Sequence, residues 1–219
     1  MNNLNILFED NHIIVVEKPI NILSQSDNTK DLDMLTILKK YLKEKYHKPG
    51  NVYVGLIHRL DRPTAGLMVF AKTSKAASRL SEQIRNKTFQ KNYLAVIHGY
   101  IEEENTYIDY LKKVANKSYP TTKENGKYAE LSFKRLDYLK EEDLSLVTIN
   151  LKTGRNHQIR VQFSKRNHPL YGDSKYGFDQ NKNLGLYAYK LTFNHPTTKE
   201  KLEFELFPKH NPFSKFKKK

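Results

Sequence analysis

Asp61 stands inside His58-Arg59-Leu60-Asp61-Arg62-Pro63-Thr64-Ala65-Gly66, a stretch that sets one carboxylate among basic residues. A carboxylate close to guanidinium groups keeps its charge where burial would otherwise protonate it, and in that form it can act as a nucleophile or a base. The competing reading is a turn aspartate that accepts only backbone hydrogen bonds. The placement of arginine favours chemistry. The chain holds eight arginines, and five fall in two short segments: Arg59 and Arg62 here, Arg155, Arg160 and Arg166 far downstream. Arginine presents a planar donor fork for phosphate and carboxylate that lysine cannot reproduce.

Other chemistries lack their residues. There is no cysteine, hence no thiol nucleophile, thiolate metal site or disulfide. His12, His58, His157, His168 and His195 show no tight metal spacing and are expected to pack or hydrogen-bond. The acidic runs at 102–104 and 141–143 read as solvated turns, and no further carboxylates join Asp61 as a metal-dependent nuclease would need. No serine sits in a nucleophile elbow, and glycine-rich nucleotide loops are absent. Neither a metal nor a cofactor is expected.

The formal charge of +14 and the pI near 9.6 imply an anionic partner, most simply nucleic acid. The abundance of Lys, Asn, Ile and Tyr suits a low-GC coding sequence, but that bias does not explain why acids fail to balance the lysines. No apolar run is long enough to span a bilayer, and residues 1–10 lack the basic patch and apolar run of a leader. A soluble cytoplasmic protein with no membrane contact is expected. A length of 219 residues fits one domain, with room for two lobes.

The elements that must position Asp61 follow from periodicity. Residues 6–8 and 12–17 read as a strand pair. Leu35, Leu38, Tyr41 and Leu42 recur at helical spacing behind a cap at Asp33, and Pro49-Gly50 ends that helix. Residues 52–57 and 67–70 read as short apolar strands around the Asp61 turn, punctuated by Pro63 and Gly66. A helix over 74–87, capped by Thr73 or Ser74, precedes a strand over 89–99. Between 100 and 140, strand-like pieces at 107–110 and 129–136 alternate with lysine-rich loops. A strong strand at 144–151 leads through Gly154 into a helix capped by Asn156, whose first amides could receive a phosphate. Two more strands, 186–193 and 201–207, are followed by a basic tail, 209–219, expected to be mobile and open to phosphates. Strands outnumber helices without regular alternation, so the class is α+β with a mainly antiparallel, mixed sheet flanked by helices.

The stretch from His58 to Gly66 resembles the signature loop of the RluA-type pseudouridine synthases. Glu17-Lys18-Pro19 is similar to that family's first motif, Lys91-Asn92-Tyr93-Leu94-Ala95 to its tyrosine-bearing strand, and Thr153-Gly154-Arg155-Asn156-His157-Gln158-Ile159-Arg160 to its third motif. His168-Pro169-Leu170-Tyr171-Gly172-Asp173 and His195-Pro196 follow in family order. Ala65 replaces the usual serine of the signature loop, which removes a hydroxyl but leaves the acid.

The resemblance implies a pseudouridine synthase catalytic fold with a central cleft over residues 1–208, followed by the tail 209–219; in a departure from many members of that family, no separate N-terminal RNA-binding module is expected. It implies isomerisation of specific uridines to pseudouridine in structured RNA, ribosomal before transfer RNA, by a monomer with no protein partner. The target nucleotide must leave the helix, because its glycosidic bond is broken and its ring turned. Asp61 would be the nucleophile, Arg160 its charge partner, and Tyr93 the ring that stacks on the base and takes part in the closing proton transfer. Arg59 would fill the space left by the flipped nucleotide, and Arg62 and Arg155 would touch phosphates. The alternative is a catalytically silent RNA-binding or RNA-remodelling protein on the same scaffold, which would gain nothing from a carboxylate facing phosphates.

Overall fold

The β-branched run Ile13-Ile14-Val15-Val16 is fully buried and forms most of a strand. In the computed structural model, which describes residues 4–180 and 182–216, such runs assemble an α+β fold. The chain divides into two compact units: residues 1–90 with 190–206, and residues 91–189 with the chain from 207 onward.

In the first unit, β1 (Ile6–Glu9) pairs antiparallel with β2 (Ile13–Lys18). Helix α1 (Met34–Lys45) starts where predicted, with the Asp33 side chain accepting from the amides of Leu35 and Thr36. The expected strand at 52–57 shrinks to the two residues of β3 (Gly55–Leu56), paired with β4 (Ala65–Ala71). Strand β4 also pairs antiparallel with β2, so that Lys18 lies opposite Gly66. That register brings the end of β2 to the loop carrying Asp61. Helix α2 (Ser74–Arg85) is capped by Thr73.

In the second unit, β5 (Gln90–His98), β6 (Glu104–Val114), β7 (Lys117–Thr121), β8 (Lys127–Leu139) and β9 (Leu144–Leu151) lie in the order β5-β9-β8-β6-β7, with every pair between these neighbours antiparallel. The lysine-rich loops expected between 100 and 140 are in fact mostly strand. Helix α3 (Gln158–Ser164) follows, seven residues long. Strand β10 (Leu186–Asn194) begins in the second unit and ends in the first, where it pairs with β11 (Lys201–Glu205).

The core of the first unit gathers Ile13, Val15, Leu67, Val69, Leu80, Phe89, Leu191 and Phe193. The rings of Phe89 and Phe193 stack with centroids 5.1 Å apart. The turn after β10 is closed by His195, whose Nδ1 accepts the amides of Thr197 and Thr198. That fixes the ring proton on Nε2, which donates to Asp10 at 2.8 Å.

The tail corrects an expectation. Residues 213–215 form a 3-10 turn, Phe213 and Phe216 are buried, and Lys215 pairs with Glu142. Two phenylalanines are enough to anchor a segment whose composition otherwise reads as solvated. Residues 217–219 of the expected tail lie outside the described residues. Among the described residues, no helix is long and apolar enough to cross a membrane.

Candidate active site

Backbone contacts hold the Asp61 turn from both sides. Ser24 Oγ donates to the carbonyl of Leu60 at 2.8 Å and accepts its amide at 3.0 Å, so one buried hydroxyl satisfies both backbone groups of the residue before the acid. The carbonyl of Asp61 accepts the amide of Thr64 at 2.9 Å, closing a four-residue turn. Gly66, at φ 124°, takes up the backbone angle that brings the chain out of this turn into β4. His58 Nε2 accepts the amide of Val69 at 3.3 Å, fastening the start of the loop to the strand that leaves it.

The third brace is Lys18, the lysine of the Glu17-Lys18-Pro19 motif, which is fully buried. Its Nζ donates to the carbonyls of Pro19 at 2.9 Å, Ile22 at 2.6 Å and Arg62 at 3.1 Å. Burial pulls the ammonium down from its ordinary 10.5 to about 7; Asp61 acts in the opposite direction and Arg62 adds to the fall. A buried cation whose charge is supported by Asp61 thus sits behind the turn.

Asp61 itself is half-buried between exposed Arg59 and Arg62. Arg62 Nη1 donates to Asp31 at 2.7 Å, tying the polar loop before α1 to the turn. Both partners of that pair are nearly half exposed, so it is an open surface contact.

In the second unit, Tyr93 lies on β5 opposite Ile149 and is buried. Arg160, on α3, grips Asp173 in a fork-to-fork pair: Nε to Oδ2 at 2.7 Å and Nη2 to Oδ1 at 2.6 Å. Asp173 is fully enclosed and also accepts the amides of Lys175 and Tyr176. Burial raises its carboxyl, but the Arg160 contact and these amides outweigh burial and hold it below the usual range. The pair uses two of the five guanidinium N–H donors and fixes the plane in which the others point.

Helix α3 does not begin as expected. Asn156 is not its cap; its side-chain amide donates to Ser118 Oγ at 3.1 Å. His157 occupies the cap position in a left-handed conformation, φ 53°, with no side-chain cap bond. Gln158 does the holding instead: its Oε1 accepts from Thr153 Oγ1 and the amide of Arg155, while its Nε2 donates to the Glu130 carbonyl and to Gln162 Oε1. Gln162 in turn donates to Asp109 at 2.8 Å. A seven-residue helix braced in this way is a scaffold for Arg160. Exposed Arg155 uses Nε on the carbonyl of Tyr128, and Arg166 is committed to Asp109.

Asp61, Arg59 and Arg62 therefore share one turn in the first unit, while Tyr93, Arg155 and Arg160 belong to the second. Sequence reasoning missed Lys18 and Asp173 as supports. Both stood inside quoted motifs, and the charge of each at a position that proves buried was the available signal.

The chain matches the RNA pseudouridylate synthase family over residues 12–165, a span containing Asp61, Tyr93 and Arg160. It is 33% identical over 94% of its length to an uncharacterized RNA pseudouridine synthase of Mycoplasma genitalium, and 36% identical over 90% to the uncharacterized RNA pseudouridine synthase YhcT of Bacillus subtilis. It spans 66% of the length of each of those two relatives. It is also 35% identical over 91% of its length to the tRNA pseudouridine synthase C of Haemophilus ducreyi, of which it covers 88%. Among solved structures, human RNA pseudouridylate synthase domain containing 1 superposes with a TM-score of 0.76 at 26% identity, covering 96% of this chain and 85% of that one. The chain belongs to the RNA pseudouridylate synthase family.

Proposed function

We propose that this protein isomerises uridine to pseudouridine in ribosomal or transfer RNA, with Asp61 as nucleophile. What carries the reading is a half-buried carboxylate on a turn braced by Ser24 and a buried lysine, within a family match that also spans Tyr93 and Arg160. The target uridine is unstacked and enters a cleft. Attack by the carboxylate separates base from sugar, or saturates the ring so that it can separate; the ring turns, a carbon–carbon glycosidic bond replaces the carbon–nitrogen bond, and the proton on the newly bonded carbon leaves. Arg160 pairs with Asp61 through donors that Asp173 does not use, keeping the acid charged and aimed. Tyr93 bears on the base and assists the closing proton transfer. Arg59 fills the stack where the nucleotide was, and Arg62 exchanges Asp31 for an RNA phosphate, with Arg155 touching another. The enzyme works in the cytoplasm as a monomer.

Relatives are named for both RNA classes: transfer RNA in Haemophilus ducreyi and the ribosomal large subunit in Buchnera aphidicola. Chemical mapping of pseudouridine in ribosomal and transfer RNA from cells with and without the gene tests the reading. Loss of at least one site on deletion is expected; identical maps in both RNA classes would overturn it.

A further inference from the structure

Residues 111–128 were expected as loop and instead continue, with Tyr110, a sheet of three strand segments with two different faces. Residues alternate along β6: Tyr107, Asp109 and Leu111 are buried, whereas Ile108, Lys112 and Val114 are exposed and Tyr110 is half-buried. The inner face is fully used. Leu111 packs with Ala129 and Val161, the amide of Ser118 donates to Tyr176, and the Ser118 hydroxyl receives Asn156.

The outer face carries a different chemistry. Register places Lys112 directly opposite Tyr119, Val114 opposite Lys117, and Tyr110 between Thr121 and Tyr128. Tyr119 is 48% exposed and Tyr128 38%. Of the six charged residues between 110 and 128, five are lysines and one is Glu124. The next acid along β8, Glu130, already receives Lys152 and the Tyr128 hydroxyl. An exposed sheet face of tyrosine rings set among uncompensated lysines matches an anionic polymer with planar groups, which is single-stranded nucleic acid: phosphates meet ammonium groups and unstacked bases meet rings. The face is also continuous with the third motif, because Arg155 Nε donates to the carbonyl of Tyr128 at 2.8 Å.

We propose, resting on the RNA substrate argued above, that the outer face of β6, β7 and the start of β8 is a second contact for that RNA. It takes a single-stranded stretch beyond the target uridine, with Tyr119 stacking on a base and Lys112 and Lys117 on phosphates.

Fluorescence anisotropy of a labelled 16-nucleotide single-stranded oligouridylate, measured at several salt concentrations, tests this in the full chain. The double variant Lys112→Gln, Lys117→Gln should bind about fivefold more weakly and lower the slope of log affinity against log salt by about 1.4, two contacts at roughly 0.7 each. Tyr119→Ala should bind at least about fivefold more weakly with an unchanged slope. A control triple on α1, Lys39→Gln, Lys40→Gln, Lys43→Gln, should leave both unchanged. The rate of pseudouridine formation at saturating cellular RNA should match wild type in all three. Hairpin variants that bind like wild type, or a control that weakens binding equally, would overturn the inference while leaving the enzyme reading intact. A wild-type protein that forms no pseudouridine at all would overturn the parent reading instead.

Discussion

An ammonium buried without counter-charge costs several kcal/mol, and Lys18 offsets that cost with three carbonyl acceptors and the nearby charge of Asp61. The same contacts fix the Arg62 carbonyl, one residue past the acid. Lys18→Met keeps the length of the side chain but leaves those carbonyls without their donor. A stability loss of about 2–4 kcal/mol in urea unfolding is expected, together with pseudouridine formation slowed about tenfold or more at saturating RNA. Unchanged turnover in the folded variant would remove Lys18 from the positioning of Asp61. Asp61, Tyr93 and Arg160 were singled out because motifs carry their types and order. Asp173 was not: thirteen residues separate it from Arg160, and it reads as one more polar group in a turn-rich stretch until the fold closes the fork.

At the scale of elements, α3 is too short to persist by itself, since isolated helices need about 12–15 residues even with good sequences. It is held by amide side chains that reach neighbouring strands. Gln162 is fully buried and donates to Asp109, which also receives Lys165 and Arg166. Gln162→Leu would leave one bond to that carboxylate unmade, and a loss of about 1–3 kcal/mol in urea unfolding is expected. A variant as stable as wild type would mean that packing alone seats the helix. The capped helices α1 and α2 were readable because Asp33 and Thr73 precede clear apolar periods. The cap of α3 was misplaced because Gln158, the first residue of the helix, rather than Asn156, accepts the preceding amide of Arg155. The hairpin of β6 and β7 escaped for a different reason: lysines on an outward strand face look like loop unless the alternate positions are known to be buried.

At the scale of the whole chain, the α+β class and the basic balance followed from the sequence, whereas the division into two units did not. The chain leaves and re-enters the first unit between residues 90 and 190, and no composition shift marks either crossing. Stability against acid is set partly by one group that joins distant segments. Glu9 at the end of β1 receives Lys45, Tyr41 and Tyr46 from the α1 region and Lys72 after β4. Burial raises its carboxyl, but these four donors outweigh burial and lower it from 4.5 to about 2. Because the folded value lies below the unfolded one, the stabilisation is complete above about 4.5 and is lost as pH falls towards about 2. The stability gap between wild type and Glu9→Gln should therefore narrow across that window. A gap that stays constant from pH 5 to about 2.5 would show that the carboxylate's charge is not what joins these segments.

The decisive test of the central claim is tritium release from RNA carrying uridine labelled at carbon 5, the position that must lose its hydrogen when the new glycosidic bond forms there. Wild-type protein should release tritium to solvent. Asp61→Asn should release none above background while binding the same RNA within a few fold, because only the charge of one side chain has changed. Release at the wild-type rate by Asp61→Asn would contradict the account.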